Sequence, residues 1–281
     1  MRIVSLEPGA TEILCAIGLG DEIVGVADDP SAVDLAELVA TPFVAHARWD
    51  SGGLRRVDVD TDALAATSPG LIVAARAADI PAGAVEGATI LSFEPTSLEG
   101  VFNAIAAIGA MTSAEDAALE LIEDLRNELG VIEERVRERS DDGRRPVRAI
   151  VLESLDPPLA SGLWVPEQVR RAGGWELLGV EGASPRAATW EAVADLDPEV
   201  LFVSVRGSGL PASMRAWEAI PAERVAGLPV VGAGRVYALD GRSYLSVAGP
   251  RLVDGVALLA ELLDPGAFED IAPQTGWAPL S

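Results

Sequence analysis

Hydrophobic positions along this chain fall into runs of two kinds. Short continuous runs recur, among them Ile3-Val4-Ser5-Leu6, Leu71-Ile72-Val73-Ala74 and Val200-Leu201-Phe202-Val203. Continuous rather than alternating hydrophobicity suits parallel strands covered on both faces. This pattern predicts strands near 2–6, 22–28, 71–76 and 89–94 in the first half, and near 147–154, 200–205 and 235–240 in the second. Helical runs lie between them, which points to α/β units. The first strand meets Pro8-Gly9 and turns straight into an apolar helix.

The longest helical pattern lies mid-chain. Ala118, Leu121, Ile122, Leu125, Leu129, Ile132 and Val136 repeat at helical spacing in an otherwise polar stretch. Ser113 is the expected N-cap, with Asp116 in the capping-box position. The polar loop Asp141-Asp142-Gly143-Arg144-Arg145-Pro146 is the expected end. The pattern therefore predicts two Rossmann-like lobes with parallel sheets, joined by one long backbone helix. The expected boundaries are an N-terminal lobe over 1–110, the linking helix over 111–142 and a C-terminal lobe over 143–281.

Composition narrows the function. The 281 residues are 49% hydrophobic, enough to bury real cores. All 21 basic residues are arginine against 44 acidic ones, for a net charge of −23. So acidic a surface argues against sequence-independent nucleic-acid binding and matches proteins of salt-rich cytoplasm; a GC-rich genome would also favour arginine over lysine. No apolar run reaches bilayer-spanning length, so no membrane insertion is expected. Met1 abuts the first strand with no charged and apolar leader before it. A cytoplasmic protein is expected from the chain as written, and an extracytoplasmic one if an export segment has been removed. The single cysteine, Cys15, falls on the apolar face of the first helix and is expected in the core.

Four stretches carry a resemblance. They are RIVSLEPGATEILCAIGLGDEIVGV, residues 58–74 with DTDALAATSPGLIV, DPPLASGLWVPEQVRRAGG, and the pair TWEAVADLDPEVLFV and YLSVAGPRLVDG. In order and spacing they resemble cobalamin-binding proteins of the helical-backbone (class III) substrate-binding family, which serves ABC importers. The chain departs from that pattern at three places. Ala27-Asp28-Asp29-Pro30 stands where relatives often carry His-Glu-Cys-Asp-Tyr-Pro. Ala75–Pro81 replaces a cysteine-bearing loop, and Val247-Ala248 stands before Gly249-Pro250-Arg251 in place of Arg-Pro.

The resemblance implies a non-enzymatic protein that captures a corrinoid in a cleft between lobes, with no cofactor required. It implies an ABC permease as partner, and the chain is expected to be a monomer. A corrinoid is a large apolar disc with amide arms, so its site needs apolar or aromatic walls and a few polar anchors. Pro8 and Thr11 open the first helix, whose free N–H groups suit a ligand carbonyl or phosphate. By resemblance, Trp49 and Trp164 are candidate walls, with Tyr244 in the loop after the last strand and Arg251 as an oxygen-binding fork. Trp190 is expected to pack in the core, and Trp175, Trp217 and Trp277 to be structural. His46, the only histidine, is the one candidate metal ligand. Asp62 and Glu191 match positions where importer-binding proteins carry a permease-docking carboxylate.

Three rivals remain at this level. Arg48, Arg76, Arg186 and Arg251 would suit a ferric siderophore or haem. A tetrapyrrole enzyme such as a chelatase would need more histidine than the chain has. The lost family residues would suit a degenerate relative acting as a protein-interaction module. Hydrolase signatures (G-x-S-x-G, a P-loop, H-E-x-x-H) are lacking.

Overall fold

A computed structural model describes residues 1–32, 35, 38, 40–49, 55–269, 271–273 and 275–280. The chain divides into two compact units. The first holds residues 1–95, 99–124 and 247–250, and the second holds 96–98, 125–246 and 251–281.

In the first unit, β1 (Ile3–Ser5) feeds α1 (Pro8–Ala16), followed by β2 (Ile23–Asp28), β3 (Phe43–Trp49), β4 (Arg55–Val59), α2 (Thr61–Ala66), β5 (Leu71–Ala74) and β6 (Thr89–Ser92). The sheet order is β4-β3-β2-β1-β5-β6. All neighbours are parallel except β3 and β4, which form an antiparallel pair. The four residues of β5 are buried, as a strand covered on both faces requires. Val4, Leu6, Ala27, Val44, Leu64, Ile72 and Ile80 make one core. Asp60 caps α2 by accepting from the N–H groups of Asp62 and Ala63.

α3 (Leu98–Thr112) and α4 (Glu115–Asp141) follow. The expected long helix is α4, which starts two residues after Ser113, and α3 ends just before it at Thr112. Ser113 lies in the left-handed region at φ 57°. The carbonyl of Ala114 accepts from Ala118 N, so Ala114 stands where the sequence pattern put Ser113 as cap. The 27 residues of α4 rise about 40 Å. Its apolar stripe is buried at Ala118, Ile122, Leu125, Leu129 and Ile132.

The second unit continues with β7 (Val147–Leu155), β8 (Pro158–Ala160), α5 (Val165–Arg171), β9 (Gly174–Glu176), β10 (Arg186–Ala187), α6 (Trp190–Leu196), β11 (Val200–Val203), α7 (Leu210–Glu218), α8 (Ala222–Val225), α9 (Pro229–Gly232), β12 (Val236–Leu239), α10 (Gly241–Tyr244), α11 (Leu252–Leu263) and β13 (Trp277–Leu280). Its sheet runs β10-β8-β7-β11-β12-β13, with β9 beside the first residues of β7. β7, β11 and β12 are parallel, while β8, β10 and β13 pair antiparallel at the flanks. Ile150, Leu152, Leu201, Val203, Val236 and Ala238 form the sheet's share of the core. The fold is α/β with two parallel-rich sheets, as the alternation of runs predicts. Among the described residues no helix is long and apolar enough to cross a membrane.

Candidate functional site

In open α/β sheets, ligands meet the carboxyl ends of the strands, at the point where strand order reverses. In the first unit that point lies between β1 and β5, because β2 and β5 flank β1 on opposite sides. Glu7 sits there, one residue before α1. The Arg55 guanidinium bonds the Glu7 carboxylate, Asp29 Oδ2 at 2.6 Å and the Leu6 carbonyl at 2.7 Å. Burial pushes the Glu7 carboxyl up to about 7, although Arg55 opposes the rise. One arginine thus holds two largely buried carboxylates at the mouth of the sheet.

Beside this network lies a cavity of ≈ 320 Å³ lined by Ser5, Pro8, Thr11, Glu12, Asp29 and Phe43, among others. Two of the expected contacts, Pro8 and Thr11, are therefore brought together. The Thr11 hydroxyl donates to Ser5 Oγ at 2.8 Å, which fixes both side chains at the cavity edge. Gly9 is required by close approach. A Cβ there would stand 2.2 Å from the carbonyl oxygen of Ala248, in a segment that belongs to the same unit.

Trp49 ends β3 rather than lying in a loop, and it pairs in register with Arg55. Residues 50–54, the remainder of the expected cleft loop, lie outside the described residues. His46 is exposed on β3, with Nδ1 3.2 Å from Asp28 Oδ2. Among the described residues no group of three His, Cys, Asp or Glu side chains is placed to hold a metal ion. Asp62 is exposed on the first turn of α2.

In the second unit, the carboxyl ends of β7, β11 and β12 carry a second polar cluster. Glu153 is buried on β7, where burial raises its carboxyl, and it accepts from Arg206 at 2.9 Å. Gly207 N donates to Ser246 Oγ at 3.0 Å, and Arg242 N donates to the Ser208 carbonyl at 2.9 Å. These bonds tie the loop after β11 to the loop after β12. Tyr244 ends the short helix α10 in that connection, its ring packed on Gly276, which has φ 105°. Arg251 precedes the first turn of α11. Glu191 is exposed in the first turn of α6, and a backbone N–H and the Thr189 hydroxyl hold its carboxyl below the usual range.

Trp164, the other expected aromatic wall, is buried. Its indole is 5% exposed, and Nε1 donates to the Leu245 carbonyl at 2.7 Å. The basic residues expected to favour an anionic ligand are also largely committed. Arg48 pairs with Asp58, Arg76 with Asp79, and Arg186 bonds the Leu178 carbonyl. The Glu7–Arg55–Asp29 network had no signal in the sequence, since Arg55 bonds residues 48 and 26 positions away.

The family model described as periplasmic binding protein matches residues 3–243. The chain belongs to the periplasmic binding protein family. The resemblance read from the four sequence stretches is thereby supported at the family level. Among relatives of this periplasmic binding protein, the uncharacterized ABC transporter substrate-binding lipoprotein YvrC of Bacillus subtilis is 26% identical over 288 residues. That match covers 96% of this chain and 82% of the relative. The vitamin B12-binding protein of Vibrio cholerae is 26% identical over 265 residues, covering 91% and 86%. Among solved structures, the periplasmic heme-binding protein BhuT in complex with two hemes superposes with a TM-score of 0.74 at 22% identity. It covers 95% of this chain and 98% of that one, and shows the shared fold.

Proposed function

We propose that this periplasmic binding protein is a non-catalytic capture protein for a corrinoid, which it presents to an ABC permease outside the cytoplasm. The observation that carries this reading is the match to the vitamin B12-binding protein of Vibrio cholerae over nine-tenths of the chain. The chemistry is compatible with it. Capture needs an apolar surface with a few anchors, and the cavity edge supplies Leu6, Pro8 and Phe43 together with Ser5 and Thr11. Pro8, Thr11 and Trp49 of the first unit and Tyr244 and Arg251 of the second are the proposed ligand contacts. His46 is kept as the one proposed metal contact. Asp62 and Glu191, both exposed on first turns of helices, are the proposed permease contacts. The ligand is a passenger rather than a cofactor, and no catalytic residue is assigned.

A second reading, haem or a ferric siderophore, draws on arginine at the loops after β12, namely Arg242 and Arg251. Titration of the protein with cyanocobalamin, cobinamide and haemin, followed by tryptophan fluorescence and absorbance, separates the two. Saturable micromolar or tighter binding of the corrinoids, weakened by Trp49→Ala, is the expected result. Binding of haemin alone would replace the first reading by the second, and three flat titrations would refute both.

A further inference from the structure

The crossover from β5 to β6 carries no α-helix. Parallel neighbours are usually joined through a helix that covers the face of the sheet, as α1 does between β1 and β2. Residues 75–88 hold only one turn of 3-10 helix, Ala77–Asp79. More than half of that stretch is alanine or glycine. So slight a cover leaves a cavity of ≈ 590 Å³ between the loop and the two strands.

Ile72, Ile80, Pro81, Val85 and Ile90 give its wall most of its bulk, and alanines and Gly83 complete it. None of these residues has a polar side chain. Ile72 and Ile90 pair in register on β5 and β6. Ile72 and Ile80 are 1% and 8% exposed and belong to the core of the first unit, so they form the floor. Ile90 is 37% exposed on β6, the last strand of the sheet, so the cavity opens at that edge. The cavity beside Glu7 shares no lining residue with this one, and the two are separate sites.

The chemistry of the wall selects the occupant. A cavity that offers water no polar side chain takes hydrocarbon, and one of ~150 Å³ already holds benzene. This cavity is roughly four times that size, within the range of small-molecule pockets. Its open edge lets a polar head stay in water while a chain lies on the isoleucines. Glu86, exposed in the same loop, and the net charge of −23 disfavour an anionic head. Arg76, the loop's one cation, is taken by Asp79 at 2.8 Å. We infer that this cavity is a second binding site, for the alkyl chain of an uncharged amphiphile. It stands apart from the capture reading and does not depend on it.

The test titrates straight-chain butanol, hexanol and octanol into the whole protein, with its isoleucine methyl groups selectively labelled and followed by NMR. Saturable shifts are expected at the methyl groups of Ile72, Ile80 and Ile90. Affinity should rise about fourfold for each added CH2. Ala88→Leu fills the cavity from the loop, and Ala82→Leu fills it from the exposed rim, so one variant remains if the other does not fold. Either should weaken octanol binding by at least about tenfold. Saturating cyanocobalamin should leave the shifts unchanged. The inference is overturned by any of four results: no saturable shift at these three methyl groups, an affinity that does not grow with chain length, folded leucine variants that bind octanol as wild type does, or displacement of octanol by cyanocobalamin.

Discussion

Glu7 offers the sharpest quantitative test of the strand-end chemistry. Its carboxyl is raised from 4.5 to about 7, mainly because burial penalises the charged form. Between those two values the folded chain holds a proton at this site that the unfolded chain has released. Stability therefore falls as pH rises from about 4.5 to 7, and the contribution is fully lost above the folded value. The rise is worth about 3 kcal/mol. The substitution Glu7→Gln mimics the protonated acid and keeps an oxygen for Arg55, while Asp29 and the Leu6 carbonyl still hold the guanidinium. The variant should match the wild type near pH 4.5 and exceed it by up to about 3 kcal/mol at pH 8. For a chain of this size that is roughly 5–10 °C in melting temperature. Scanning calorimetry of both proteins from pH 4.5 to 8 provides the measurement, read as the difference between them at each pH. Glu176, also raised to about 7 by burial, acts equally in both proteins and cancels. A pH-independent difference, or a variant less stable than wild type at pH 8, would refute the reasoning.

Two further substitutions probe the interior. Trp164→Ala removes an enclosed indole and its bond to Leu245, and should cost about 3–5 kcal/mol by chemical denaturation. The conservative Trp164→Phe should leave ligand affinity unchanged in the folded fraction, an outcome that a wall residue would not give. Gly9→Ala places a methyl group 2.2 Å from the Ala248 carbonyl oxygen. It should lower stability by at least roughly 2 kcal/mol, and an unchanged melting temperature would show that the Ala248 segment is not held there.

Much of this architecture is legible in the chain because parallel strands covered on both faces have a plain signature. β1, β2, β5, β6, β7, β11 and β12 all fall where apolar runs put them, within a few residues at their ends. β3 and β4 are not legible, because an antiparallel edge pair mixes His46, Arg48, Arg55, Arg56 and Asp58 into its strands. β8, β9 and β10 are only two or three residues long, and β13 contains Pro279, which is tolerated at an edge. Ser113 was read as a cap from its type and the capping-box position of Asp116; its left-handed backbone lies between the end of α3 and the start of α4. The place of Pro8 and Thr11 at the start of α1 was legible because a strand-to-helix turn is a local feature. The burial of Trp164 was not, because a Gly-Leu-Trp turn says nothing about what encloses the ring. The Arg55 network spans strands that only the folded sheet brings together.

A net charge of −23 makes an unpaired guanidinium hard to keep, since 44 carboxylates compete for it. Arg48, Arg55, Arg76, Arg145, Arg170 and Arg206 all have carboxylate partners. These pairs are not equal in strength. Salt screens exposed charges over about 8 Å at physiological ionic strength, so the exposed pair of Arg48 with Asp58 contributes little. The largely buried pairs of Arg55 with Glu7 and Arg206 with Glu153 are screened far less, and they hold the strand ends of the two sheets.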